Sequence, residues 1–286
     1  MTDFSGPLPV PGNLDVEWHA GWPSAKHDPA PEIQVHAYDE HTLILRQNKS
    51  VHFEAPFLFL LFGGERALLL DTGATADERY FPLRRTVDAA IAEWLENHPR
   101  PRYELLVAHT HGHGDHIAAD GQFAGRPATT VVGPGLAEVT AFFGLAGWPD
   151  TAGELDLGGR VLDVIPGPGH EEAAVVLYDR STGLLLTGDS FYPGMIYVRD
   201  TAAFTATVDR LLAFCATRPV THILGCHIEM SGTPGDAYPR GTTYQPDEPP
   251  LQMTVGQLAA LRRALTETDG RPGVHPFDDF IVDSTV

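Results

Sequence analysis

The stretch 109-HTHGHGDH-116 places His109, His111, His113, His116 and the carboxylate of Asp115 within eight residues, with Gly112 and Gly114 between them. Core packing does not call for that composition. The tract follows directly on an apolar run, Leu105–Ala108, of the kind that forms a strand. It therefore lies at a strand end and is not a dangling tail. His111 and His113 are two apart, so in extended backbone their side chains leave the same face and can reach one ion. The glycines let the chain bend closely around that ion. Asp115 and His116 face another way, at the start of a helix predicted over Ile117–Ala119, and are placed to serve a second ion. Zinc and similar divalent metals accept both imidazole nitrogen and carboxylate oxygen. These residues point to a metalloprotein, and more narrowly to a metalloenzyme.

Three distant positions have the same character. Gly167-Pro168-Gly169-His170 follows one apolar run, Thr187-Gly188-Asp189-Ser190 ends a second, and Leu224-Gly225-Cys226-His227 ends a third. A lone His or Asp after a strand is usually a turn or capping residue. Together with 109–116, however, His170, Asp189 and His227 form a set of donors that all sit at strand ends.

The rest of the chain sets the frame. Its 286 residues suit one large domain or two modest ones, and 43% apolar content is enough for a sizeable core. A formal net charge of -19 argues against a general nucleic-acid or anionic-membrane surface, since binding phosphate requires Lys and Arg. No apolar run is long enough to span a bilayer. Two cysteines make no disulfide framework and suit a reducing, cytoplasmic setting; the N-terminus lacks the features of a secretory signal. Residues 1–31, rich in Pro, Gly and Trp, read as an extended arm lying on the domain or on a second subunit, which makes a homodimer the expected assembly. Residues 32–286 read as the catalytic domain. Apolar runs at Thr42–Arg46, Phe57–Phe62, Ala67–Leu70, Leu105–Ala108, Thr129–Val132, Val161–Ile165, Ala174–Tyr178, Leu184–Thr187 and His222–Leu224 predict strands. Several are continuous, as in strands buried on both faces. Helical stripes run through Val87, Ile91, Trp94 and Leu95, through Phe204, Val208, Leu211, Leu212 and Cys215, and through Leu258, Leu261 and Leu265. Strands mixed with helices predict a layered α/β fold with the helices outside. Pro234–Pro250 reads as a long ordered loop, and with Trp148 and Tyr192–Tyr197 it is expected to wall a pocket.

From Phe57 to Met230 the chain resembles the metallo-β-lactamase superfamily. The resemblance rests on Leu70-Asp71-Thr72-Gly73, on His111-x-His113-x-Asp115-His116, on Gly169-His170, on Gly188-Asp189 and on His227, all in the family's order. It implies a four-layer αβ/βα sandwich with a dinuclear metal site at one edge of the two sheets. On that resemblance His111, His113 and His170 hold one ion, Asp115, His116 and His227 hold the other, and Asp189 bridges them. Asp71 supports the metal loops by hydrogen bonds, while His109 has no ligand role. The ions expected are two divalent metals, zinc first, with iron or manganese compatible with the same donors.

Fold does not give function, but the ligand set narrows it. Asp189 stands where the β-lactamases proper carry other residues, so the chain is most similar to the glyoxalase II and lactonase branch. The implied reaction is hydrolysis of an ester, thioester or lactone in a small-molecule substrate by a metal-bridging hydroxide, with Asp115 orienting it and Tyr192 assisting the leaving group. Phosphodiester hydrolysis at the same two-metal site, and persulfide-dioxygenase-like chemistry at a single iron, are the alternatives. Two positions depart from the family. Ala118-Ala119 stands where Gly-Gly is common, and Glu171 where Thr or Ser follows the histidine, a change that would alter the support of the ligands or repel an anionic substrate. Cys226, beside His227, reads as a small packed residue and not as a nucleophile.

Overall fold

Phe57–Phe62 reads FLFLLF, and the layering of the fold explains how a strand can be apolar throughout. In the computed structural model, which describes Phe4, Gly6 and residues 8–285, every residue of this strand is buried. Phe57, Phe59 and Leu61 point into the space between two sheets, whereas Leu58, Leu60 and Phe62 point outward under a helix. Side chains alternate along a strand, so a sheet covered on both faces needs apolar residues at every position.

The first sheet runs in the order β1 (Ile33–Asp39), β2 (Thr42–Gln47), β3 (Phe57–Phe62), β4 (Arg66–Leu70), β5 (Glu104–Ala108), β6 (Thr129–Val131). The second comprises β7 (Gly153–Asp156), β8 (Val161–Pro166), β9 (Val175–Asp179), β10 (Leu184–Gly188), β12 (His222–Gly225) and β13 (Gln252–Met253), in spatial order β13-β12-β10-β9-β8-β7. A small third sheet joins β11 (Met195–Tyr197), β15 (Ile281–Asp283) and β14 (Val274–Pro276). The inner faces of the two large sheets share one core, in which Ile44, Phe59 and Leu70 meet Leu162, Val175 and Leu186. Helix α1 (Leu83–Asn97) covers the outer face of the first sheet through Leu83, Val87, Ile91 and Trp94. Helices α5 (Thr201–Cys215) and α6 (Val255–Thr268) cover the second through Phe204, Val208, Leu211, Leu258, Leu261 and Leu265. The result is the four-layer αβ/βα sandwich.

Two parallel junctions decide where the site lies. β4 pairs parallel with β5, and β10 with β12. Parallel neighbours need a crossover, and here α1 and α5 supply them. Leu70 lies opposite Ala108 and Gly188 opposite Gly225, so Asp71, the 109–116 tract, Asp189 and Cys226-His227 all leave their sheets at one edge. β8 runs antiparallel to β9, which runs antiparallel to β10, so the turn carrying His170 emerges at that edge as well. At the end of β9, the guanidinium of Arg160, buried between the sheets, donates to His41 O, Phe62 O, Thr42 Oγ1 and Asp179 Oδ2. That pair holds the Asp179 carboxyl below its usual range, outweighing the opposing effect of burial.

Several elements escape the apolar-run reading. β1 buries only Ile33 and Tyr38 of its seven residues, and β7, β11 and β13–β15 are at most four residues long. Helices α3 (Asp120–Phe123) and α4 (Leu136–Phe143) are also additional. The helix expected over Ile117–Ala119 begins earlier, as α2 (Gly114–Ile117), so Asp115 and His116 lie within its single turn. Of the N-terminal arm, residues 1–3, 5 and 7 fall outside the described residues. The remainder lies along the domain through bonds such as Val10 N–H to Ser181 O, Asn13 N–H to Tyr38 O and Gln245 N–H to Ala20 O. Among the described residues no helix is long and apolar enough to cross a membrane, and both cysteines are free.

Candidate metal centre

The strand ends bring His111, His113, His170 and Asp189 into one cluster and Asp115, His116, Asp189 and His227 into another. In the first, His113 Nδ1 is 2.9 Å from His111 Nε2 and 3.1 Å from His170 Nε2, and Asp189 Oδ2 is 3.8 and 3.7 Å from the latter two atoms. In the second, Asp115 Oδ2 is 3.4 Å from His116 Nε2 and 3.3 Å from His227 Nε2. Asp189 lies 3.5 Å from His116 Nε2 through Oδ2 and 3.4 Å from His227 Nε2 through Oδ1. Donors about 2.1 Å from one ion at tetrahedral angles are roughly 3.4 Å apart. In the second cluster the separations from each imidazole Nε2 to the carboxylates are 3.3–3.5 Å, and the first is somewhat uneven. His113 Nε2 and Asp189 Oδ1 are buried without a hydrogen-bond partner among the described residues.

The ring orientations agree with this. His170 Nδ1 bonds to Tyr197 O at 3.0 Å and His227 Nδ1 to Glu54 O at 3.0 Å. A carbonyl only accepts, so each Nδ1 carries the hydrogen and each Nε2 presents a lone pair to the cluster. His116 Nδ1 faces Asp71 Oδ2 at 3.0 Å, with the same result. Thr110 Oγ1 donates to Asp71 Oδ2 at 2.9 Å and is left to accept from His111 Nδ1–H at 3.1 Å. Such outer contacts fix tautomer and orientation at metal sites. Asp71 is the hub. Fully buried, and in the left-handed region at φ +69, it also accepts from Thr110 N–H at 2.8 Å and from the Cys226 thiol at 3.3 Å. Glycine is required at two of these turns. Gly188 has φ +53, and a Cβ there would lie 2.7 Å from Thr110 Cβ; Gly169 has φ +130, and a Cβ would lie 2.4 Å from the backbone of Phe204.

Electrostatics divides the histidines. Burial, reinforced by cationic neighbours, lowers the pKa of His111, His113 and His170, which favours neutral rings. Burial acts the same way on His227 and His116, but Asp189 and the other nearby carboxylates outweigh it, raising His227 to about 9 and His116 well above its usual range. Asp115 and Asp189 are correspondingly held far below the carboxylate range despite burial, Asp115 by hydrogen bonds to His116 and His227, Asp189 by the charges of the same two rings. A proton held on Nε2 of His116 or His227 occupies the lone pair that a metal needs, so a cation entering the second cluster would displace it.

His109 joins neither cluster; its Nε2 lies 3.2 Å from Asp120 Oδ2. Cys226 is fully buried, and burial pushes its thiol pKa up, the opposite of an activated nucleophile. Glu171 turns back to accept from Ala173 N–H at 2.8 Å and does not line the cavity over the clusters. That cavity, about 140 Å³, is bounded by the donors and by Glu54, Tyr192, Tyr197, Arg199, Glu229 and Arg240. Of the expected walls, Tyr192, Tyr197 and, from the 234–250 loop, Arg240 contribute. Trp148 does not: it lines a separate hollow formed by α4 and the residues that follow it, among them Thr140 and Leu145. Tyr192 lies beside His227, ring centroids 5.6 Å apart, and its buried hydroxyl bonds to Met195 O and sits 3.2 Å from Glu229 Oε2. Glu229, also bonded to Met195 N–H at 2.7 Å, had no motif to announce it; its only sequence signal is its place two residues after His227. Arg199 and Arg240 gave none.

Residues 54–245 match the sequence pattern of the metallo-beta-lactamase superfamily. The chain is 33% identical over 138 residues to a hydroxyacylglutathione hydrolase of Anaeromyxobacter dehalogenans (strain 2CP-C), an alignment covering 48% of this chain and 46% of the relative. It thus spans about half the length of that curated relative. In fold it is similar to a metallo-beta-lactamase from Pontibacter korlensis (TM-score 0.53, 19% identity, 82% of this chain and 99% of the other). It is also similar to TMB-1 (TM-score 0.51, 12% identity, 84% and 100%). A match over most of the chain, with the sandwich and the strand-end donors in register, leads to one conclusion: the protein belongs to the metallo-beta-lactamase superfamily.

Proposed function

We propose that the protein is a metal-dependent hydrolase of esters, thioesters or lactones, using two divalent ions of which zinc suits the donors best. The observation that carries the reading is the pair of donor clusters sharing Asp189 at the floor of a cavity. Every histidine Nδ1 resolved by a carbonyl or carboxylate partner there leaves its Nε2 lone pair aimed inward. Ions held there would supply hydroxide near neutral pH and polarise the bond to be cleaved. The chain's own residues do the rest. Asp115, 3.3–3.4 Å from two rings and one-fifth exposed, is the more open of the two cluster carboxylates that line the cavity, and it would orient the attacking oxygen. Tyr192 walls the His227 side, and to reach a leaving group its hydroxyl would have to release Met195 O. The buried walls leave room for a short substrate, well below the 300–1,000 Å³ typical of sites for larger ligands.

The test is metal stoichiometry on purified protein, together with a chromogenic panel of lactones, thioesters, carboxylic esters and phosphodiesters. Two zinc-like ions and turnover confined to carbonyl substrates are expected. A single iron, or turnover of phosphodiesters alone, would replace this reading. His111→Ala and Asp189→Ala should lose both metal and activity, and full turnover without metal in either variant would end the proposal.

A further inference from the structure

Four charged side chains outside the donor clusters line the cavity, and three of them are already matched. Arg240 Nη2 lies 3.6 Å from Glu54 Oε1. Glu229 is enclosed by Met195 N–H and the Tyr192 hydroxyl. The fourth, Arg199, makes no side-chain hydrogen bond or ion pair with any described residue, although its backbone is pinned. Arg199 N–H and Asp200 N–H both donate to Gly169 O at 3.0 Å, immediately before the donor His170. The guanidinium is solvent-exposed on a turn pinned beside the first cluster, at the rim of the cavity, where it can meet an anionic group that enters from solvent.

The geometry points to Arg199 as the residue that selects a carboxylate-bearing substrate: a short acyl ester, thioester or lactone whose second carboxylate lies a few bonds from the cleaved carbonyl. The inference deepens the hydrolase reading and rests on it. Arginine suits the task because its planar fork meets both oxygens of a carboxylate. In a chain of net charge -19 most of the surface repels such a substrate, so a single uncompensated cation at the cavity mouth has a disproportionate effect on which molecules enter.

Two matched esters decide it: p-nitrophenyl butyrate and the p-nitrophenyl half-ester of glutarate, which adds a terminal carboxylate. With metal-loaded protein, the kcat/KM ratio of half-ester to butyrate should favour the half-ester. Arg199→Gln should lower that ratio about tenfold, mainly through KM, Arg199→Lys should retain part of it, and Arg199→Glu should invert it. A ratio unchanged in Arg199→Gln overturns the assignment. If the wild type cleaves neither ester, carboxylic esters drop out of the proposed function, and calorimetry on the same loaded proteins still decides the role of Arg199. Glutarate should bind the wild type about tenfold more tightly than Arg199→Gln, with butyrate showing no such gap. Equal glutarate affinities overturn the inference whatever the catalytic result.

Discussion

Replacing Asp71 tests whether the metal loops are held from beneath. Its carboxylate accepts from Thr110 N–H, Thr110 Oγ1–H, His116 Nδ1–H and the Cys226 thiol. In Asp71→Ala the hydroxyl and thiol can rotate, but the backbone N–H of Thr110 and the ring N–H of His116 cannot. Each buried donor left alone costs about 1–3 kcal/mol, so the metal-free protein should lose about 2–6 kcal/mol of a total of roughly 5–15. The left-handed backbone at φ +69 adds strain for alanine. Asp71→Asn should behave differently. Its amide oxygen can still serve Thr110, while an NH₂ facing His116 would press that ring toward the tautomer with its hydrogen on Nε2, where an ion needs a lone pair. Metal affinity should then fall about 10–100-fold with the smaller loss of fold stability. Urea unfolding of the metal-free proteins and calorimetric zinc titration separate the two effects. If Asp71→Ala unfolds within about 1 kcal/mol of the wild type and binds zinc within about twofold, the reasoning about buried donors fails.

Metal uptake should depend on pH through His116 and His227. With His227 at about 9, zinc added at pH 7.5 should release protons, countable with an indicator dye, and affinity should rise up to about pH 9; uptake without release would refute the charge assignment. The sign reverses for the metal-free fold. A histidine raised above its unfolded value of about 6.5 contributes stability that is complete below that pH and is lost as pH climbs through 9, so unfolding should become easier from about pH 6.5 to 8, below the range in which Lys49 acts in the opposite sense. Gly169→Ala should displace His170, since the added Cβ meets the Phe204 backbone at 2.4 Å; a variant with wild-type zinc content and rate would contradict this. Lys49, buried 3.3 Å from Glu248, has its pKa lowered to about 8 by burial and by Arg46, so its charge opposes folding below pH 8; relief of that cost above pH 8 should offset the loss through His227 up to about pH 9 and give a net rise in stability from there to 10.5. Because Arg46 already holds Glu248 through two 2.7 Å bonds, Lys49→Met should be at least as stable as wild type at pH 7; a loss above about 2 kcal/mol in thermal unfolding would count against it.

The tract 109–116 and the strand-end residues His170, Asp189 and His227 could be picked out from the sequence because turn glycines and donors recur after apolar runs. Strands such as Phe57–Phe62, apolar on both faces, made a layered α/β fold legible, while the four-layer arrangement followed from the family resemblance. What stayed hidden depends on long-range juxtaposition. Arg199 sits in a stretch with no spacing signal, and its meaning comes only from which charges surround it in space. Glu229 matters because β11 and the loop before it deliver the Met195 N–H and the Tyr192 hydroxyl to it, contacts across more than thirty residues. β1 was missed because an edge strand half-covered by the arm alternates polar and apolar residues over only seven positions. Trp148 looked like a pocket wall by residue type alone, and residue type carries no information about which side of a sheet a loop falls on.

Each donor cluster draws two residues from the first sheet and two from the second: His111 and His113 with His170 and Asp189, Asp115 and His116 with Asp189 and His227. Ions held there would be stitches across the seam of the sandwich. Their binding energy would be shared between gripping a cation and keeping the two halves docked. A chain nicked in the surface segment between α4 and β7 should accordingly reassemble from its two pieces more readily with zinc than without it. Slow sliding of one sheet on the other would appear first as metal loss, before any change in secondary structure.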